Sequence, residues 1–278
     1  MSAVFLTDLD HTFLRSDQRI SDYSRSVWNR LAAHVPLSVA TARSYMKSKA
    51  FLDALHLNAP LILLDGAMVV APDATLLDLK TVPTELGDAL IEEGRVFDGI
   101  EPFVIGLKNA QLDETFRYPV HTTAMQAQVL QNYRDDPRLQ RCETVRAAER
   151  TLKIVYMAEV SRLRPLTEHL RSRFGDALEF KLSPEKYSGG YFLTVLHPLG
   201  DKAHAMHKVC EYLGRDPESF TVFGDSINDL GMFRLAGTSC AVANALDEVK
   251  AAADIVLPHT NDEDAVARYL EACIPGAS

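Results

Sequence analysis

Cysteine is scarce in this chain: Cys142, Cys210, Cys240 and Cys273 lie far apart with no paired spacing. That argues against a disulfide framework or a zinc-ligand array and suits a reducing compartment. Basic charge is not in excess either, since 29 Lys and Arg stand against 38 Asp and Glu, for a formal net charge of −9. Nucleic-acid binding usually calls for a basic surface, so no such partner is expected. A phosphorylated small molecule stays open, because a local cation reverses the field inside one cleft. No apolar run approaches the roughly 20 residues that a membrane helix needs. The first apolar stretch lacks a basic leader and is interrupted by Asp8 and Asp10, so no signal peptide is read there. A cytoplasmic protein without a membrane partner is the expectation. Also missing are a Walker lysine loop, a dinucleotide glycine fingerprint and a His-Glu-x-x-His helix.

What remains is a chain of 278 residues, 47% hydrophobic and 24% charged, long enough for one large or two medium globular domains. A strand-type run at 3–7 precedes a helix from 22 to about 33, where Val27, Trp28 and Leu31 share a face. A short apolar strand at 36–41, a helix from 44 to about 55 and an apolar run at 61–64 follow. Asp65-Gly66 is a turn signal, with two short strands around 68–71 and 76–79 after it. That alternation predicts a parallel sheet with crossover helices. The last part repeats it, with strands at 191–196, 220–223, 240–242 and 255–257 between helices. The middle reads as mixed α+β, with an unassigned stretch after a strand at 103–107. Thr81-Val82-Pro83 and Tyr187-Ser188-Gly189-Gly190 read as hinges. The expected fold is α/β: a Rossmann-like, doubly wound parallel sheet formed by residues 1–82 and 187–278, with an α+β domain inserted at 83–186.

Two strand ends carry chemistry. In "VFLTDLDHT" a strand runs into Asp8 and Asp10, which point the same way in an extended chain and repel each other. In "FTVFGDSIND" a second strand ends in Gly224-Asp225, with Asn228 and Asp229 just beyond. Parallel sheets bind ligands outside the carboxyl ends of their strands. Four carboxylates gathered there call for a hard cation with oxygen ligands, Mg2+. The competing reading of Asp229, with less weight, is an acid favoured by a helix N-terminus. Thr41 closes the second strand and could donate to a phosphate oxygen. Lys202 sits in the first turn of a helix behind Asp201, where the dipole disfavours a cation. Each of these two signals is commonplace by itself. His204 and His207 share a helix face without a third ligand, and His11 lies inside the first motif; neither is assigned a role.

Taken in order, Asp8-x-Asp10-x-Thr12, Thr41, Lys202 and Gly224-Asp225-Ser226-x-Asn228-Asp229 resemble the haloacid dehalogenase superfamily of phosphatases. The large insert between Thr41 and Lys202 is most similar to its Cof-type branch with a type IIB cap. Ala42 and Ala203 stand where the family often has glycine. The resemblance implies Asp8 as nucleophile, Asp10 as general acid and base, and Thr41, Lys202 and Asn228 on the phosphoryl oxygens. It implies Mg2+ held by Asp8, a backbone carbonyl of Asp10, Asp225 and Asp229. The substrate would be a small phosphorylated metabolite, a sugar phosphate foremost, and the protein a monomer or homodimer. A phosphomutase of the phosphomannomutase type and a non-catalytic phosphometabolite sensor are the alternatives.

Overall fold

Val4–Thr7 form β1, buried along its whole length, as a strand covered on both faces must be. The computed structural model describes residues 3–184 and 190–274. After β1 come α1 (Asp22–Leu31), β2 (Leu37–Val39), α2 (Tyr45–Leu52) and β3 (Leu61–Leu63). Both helices start on a serine: Ser21 accepts from the Ser24 N–H and Ser44 from the Lys47 N–H, which satisfies donors the helix leaves unpaired. Val27, Trp28 and Leu31 form the buried face of α1. β3 then pairs antiparallel with β4 (Met68–Val70), and β5 (Leu76–Leu79) completes a three-stranded sheet.

The middle of the chain builds a separate sheet. Its elements are α3 (Thr84–Asp98), β6 (Phe103–Leu107), β7 (Glu114–Pro119), α4 (Ala124–Gln131), β8 (Leu139–Cys142), β9 (Thr151–Ala158), α5 (Val160–Phe174), β10 (Glu179–Pro184) and β11 (Tyr191–Leu196). Six strands run in the order β10-β11-β9-β6-β7-β8, antiparallel except for β7 and β8. Side chains alternate along β9, as the pleat requires. Ile154 and Tyr156 join Leu90, Leu163 and Leu170 of α3 and α5 in one core, while Val155 and Met157 join Met125 of α4 in another.

Two expectations are corrected here. Residues 191–196 were expected to belong with the parallel sheet, but β11 pairs antiparallel with β9 and β10. Its Leu193 and Val195 fill the same core as Ile154 and Tyr156. The chain therefore divides into a unit of residues 1–78 and 201–278 and a unit of 79–200, rather than at 83 and 186. Of the expected hinges, Val82 is buried and paired with Thr151 inside the second unit. Residues 187–189 of the other hinge lie outside the described residues.

The first unit resumes with α6 (Lys202–Leu213), β12 (Phe220–Gly224), α7 (Leu230–Leu235), β13 (Thr238–Ala241), α8 (Asp247–Ala252), β14 (Ile255–Val256) and α9 (Ala265–Glu271). Its five-stranded sheet has the order β14-β13-β12-β1-β2, parallel throughout. The expected doubly wound parallel sheet is thus present. The strand order reverses at β1: β2 was added on one side and β12 on the other. That is where such sheets open a crevice. Thr7 and Phe223 are partners in register, so Asp8 and Asp225 leave the sheet at the same end.

Candidate active site

Three strand ends are laced together at this crevice. The Asp8 N–H donates to Phe223 O at 3.0 Å, and the Ala40 N–H to Thr7 O at 2.9 Å. Beyond Asp8 the chain makes an irregular turn over Leu9–Phe13, with His11 in left-handed backbone at φ 59°. Asn244 Nδ2 donates to the His11 carbonyl at 2.8 Å. The same turn carries Thr12, whose hydroxyl donates to Asp225 Oδ1 at 3.1 Å.

Lys202 enters as the first residue of α6, capped by Asp201, which accepts from the His204 N–H. Its side chain is wholly buried, and Nζ lies 2.5 Å from Asp8 Oδ1 and 2.8 Å from Asp229 Oδ1. A helix N-terminus repels a cation by under about 1 kcal/mol, and two carboxylates at contact distance outweigh that. Asp229 works with both oxygens: Oδ2 accepts from the N–H groups of Asp225 and Ser226 at 3.0 and 3.1 Å. Asp229 thus caps the turn that follows β12 and contacts Lys202 at once. Gly224 makes this possible, since a Cβ there would lie 2.6 Å from the Asp229 side chain.

Asp8, Asp225 and Asp229 each present a carboxylate oxygen within 4.8 Å of the others, and all three are buried. Against the one ammonium of Lys202 their formal charges sum to −2 (three negative, one positive). Burial pushes the Asp8 carboxyl well above the usual carboxylate range. Lys202 pulls it back, while Asp229, Asp225 and Asp10 push it further up. For Lys202, burial works against the charge, but Asp229 and Asp8 more than offset it and raise its pKa. The ammonium therefore stays protonated between two carboxylates, and Asp8 bears the repulsion of the other acids. Hard oxygen donors with unbalanced negative charge fit a divalent cation.

The remaining expected residues lie around this group. The Asp10 carboxylate is gripped by Arg43, Nε to Oδ2 at 2.7 Å and Nη2 to Oδ1 at 2.6 Å. Thr41 is buried; its N–H donates to Ile62 O at 2.8 Å and its Oγ1 accepts the Arg43 N–H at 3.1 Å. Asn228 Nδ2 donates to Asp65 Oδ1 at 2.9 Å.

The sequence profile of the haloacid dehalogenase-like hydrolases matches residues 5–270. The chain belongs to that family. A phosphoglycolate phosphatase of Methanopyrus kandleri is 26% identical over 274 residues, covering 97% of this chain and 96% of the relative. A 5-amino-6-(5-phospho-D-ribitylamino)uracil phosphatase of Bacillus subtilis is 23% identical over 276 residues, covering 95% and 94%. Among solved structures, a Streptococcus mutans protein superposes with a TM-score of 0.84 at 18% identity, over 98% of this chain and 99% of that one. This haloacid dehalogenase-like hydrolase is an enzyme of the phosphatase kind its relatives represent.

Three side chains of the hydrolase had no assigned role in the sequence reading. Thr12 closes the first motif, and Arg43 directly follows Ala42. Arg43 also stacks over Phe51, 4.6 Å from the ring centroid, and reaches Gln18 Oε1 at 3.2 Å. Asp65 was read as half of a turn. The signal that could have found it is its position: like Asp8 and Asp225, it follows a short buried strand run. Ala203, where the family often has glycine, lies against Gly231, whose added Cβ would come within 2.8 Å of the Ala203 methyl. The bulk gained at one position is matched by bulk absent at the other.

Proposed function

We propose that this hydrolase is a Mg2+-dependent phosphatase of small phosphorylated metabolites, sugar phosphates among them, working through an aspartyl-phosphate on Asp8. The observation that carries the reading is the buried Lys202 ammonium held between Asp8 and Asp229 at 2.5 and 2.8 Å, with Asp225 alongside. A protonated lysine beside the attacking oxygen is placed to take a phosphoryl oxygen as charge builds there. The Thr41 hydroxyl and the Asn228 amide add neutral donors. An Asp8 oxygen attacks phosphorus in line with the departing oxygen. Asp10 gives that oxygen a proton, then takes one from the water that opens the aspartyl-phosphate. Arg43 holds both oxygens of Asp10, so one of them is released when the leaving oxygen arrives.

Mg2+ would be held by the carboxylates of Asp8 and Asp225 and a backbone carbonyl of Asp10, with Asp229 behind them. When bound, it supplies the positive charge that lets an anionic nucleophile approach an anionic phosphate. We assign the choice of substrate to the 79–200 unit, as a cap, because every side chain with a chemical role above belongs to the other unit. The two named relatives act on different phosphomonoesters, which fits one chemistry with interchangeable selection. The test is inorganic phosphate release from sugar phosphates, phosphoglycolate and an aryl phosphate, with Mg2+ and with a chelator. Release that stops on chelation is expected. Interconversion of hexose phosphates without free phosphate would favour a mutase instead.

A further inference from the structure

The turn after β3 is a strained stretch of backbone. Leu64, Asp65 and Gly66 take left-handed φ values in succession, 52°, 61° and 118°. A leucine rarely adopts such a conformation, and a single αL residue is the usual limit. Strain of this kind persists only where the surroundings hold it. Here each residue of the turn meets a different part of the site. The Leu64 N–H donates to Arg43 O at 2.9 Å and the Asp65 N–H to Thr41 O at 3.0 Å. A Cβ on Gly66 would fall 2.1 Å from Asp201 O and 2.8 Å from the Lys202 N, so the turn lies directly against the start of α6. The buried Asp65 side chain accepts from Asn228 Nδ2.

We infer that Asp65 is a positioning residue, which turns the Asn228 amide so that its NH2 end, not its carbonyl, serves the phosphoryl group. The inference rests on the phosphatase reading above. An asparagine side chain presents a donor at one end and an acceptor at the other, and rotation by half a turn exchanges them. Asp65 takes one Nδ2 hydrogen, fixing the amide plane and leaving the second hydrogen on the same nitrogen for an oxyanion. A flipped amide would present its oxygen to a negatively charged phosphate. The strained turn is then the common support of Thr41, Lys202 and Asn228, the three residues assigned to the phosphoryl oxygens.

Asp65→Gly keeps left-handed backbone available while removing the carboxylate. Asp65→Asn keeps an acceptor oxygen and tolerates αL. Asp65→Gly is expected to lower kcat/KM about 10- to 100-fold, the usual consequence of losing a charge-assisted hydrogen bond, and to weaken competitive inhibition by inorganic phosphate in parallel. Asp65→Asn should stay within about threefold of the unmodified enzyme, an acceptor being restored. Because Asp65 acts through Asn228, Asp65→Gly combined with Asn228→Ala should be no worse than Asn228→Ala alone. Unchanged activity in Asp65→Gly, or losses that multiply in the double variant, would overturn the inference. The Asn228 side-chain amide signal in 15N-resolved NMR, slow to exchange in the unmodified protein and fast in Asp65→Gly, reports the contact without any turnover. Absence of phosphate release from the unmodified enzyme would overturn the phosphatase reading instead, and the amide signal would still decide whether Asp65 pins Asn228.

Discussion

Among the described residues, each unit of this hydrolase buries one cation between two carboxylates, and the two arrangements differ in kind. Arg138, between β7 and β8, gives its Nε and backbone N–H to Asp136 Oδ1, its Nη2 to Asp136 Oδ2 and its Nη1 to Glu114. One of its partners is only two residues away, and the planar guanidinium matches the carboxylate fork by fork. Lys202 instead reaches partners 194 and 27 residues distant in sequence, in a group whose acids outnumber it three to one. The first cluster joins the turn before β8 to the start of β7. The second gathers charge from separate strand ends and leaves an excess of negative charge of the kind a divalent cation fits. Buried ion pairs are weak evidence of stabilisation; what sets the Lys202 group apart is its larger surplus of acids, three against one rather than two against one.

Substitutions that neutralise one member of each cluster should therefore separate turnover from stability. The largest effect is expected for Asp8→Asn, which should cut turnover by at least about a thousandfold, as removal of a covalent nucleophile does. Since burial and three neighbouring acids push the Asp8 carboxyl up, the melting temperature of the metal-free variant should not fall. Activity above that level, or a much lower melting temperature, would place Asp8 among the structural acids. Arg138→Met should do the reverse. It leaves Glu114 and Asp136 buried without their guanidinium, costing about 3–5 kcal/mol in urea unfolding, while turnover of the folded enzyme on an aryl phosphate changes little.

A smaller, pH-dependent effect is expected at Asp264, also in the first unit. Arg15 Nε and Nη2 and the Ser24 hydroxyl donate to it at 3.1, 2.6 and 3.1 Å. Burial raises its carboxyl, but the hydrogen bonds from Arg15, Ser21 and Ser24 and the Arg15 charge outweigh burial and hold it below the usual range. A carboxyl depressed on folding adds stability that is complete above its unfolded pKa, about 3.9. That stability is lost as pH falls through the lower folded value. Asp264→Asn should thus cost about 1–2 kcal/mol near pH 7 and converge with the unmodified protein in acid. Urea unfolding at several pH values reads this out, and a gap that widens in acid would reverse the sign.

The parallel sheet was legible in the sequence because buried parallel strands read as continuous apolar runs, and β1 and β12 do. The acids that follow them were visible for the same reason, each breaking such a run. β7 and β8 were not legible. Glu114 and Arg117 interrupt the alternation of β7, and the burial of Glu114 depends on Arg138, 24 residues away. β11 was read as a strand but placed in the wrong sheet, because a short apolar strand does not say which edge it joins. The partners of Asp10 and Asn228 were hidden for a related reason. Arg43 and Asp65 lie 33 and 163 residues from them, and spacing in sequence says nothing about such pairs until the strand order is known.

The central claim is that Asp8 carries the phosphoryl group. Acid quenching of the Mg2+-loaded enzyme within its first turnover of a phosphate-labelled substrate tests this directly. The account predicts label on the protein that hydroxylamine releases, located on the peptide containing Asp8 and absent from Asp8→Asn. Turnover without labelled protein at any quench time, or label on another peptide, would contradict it.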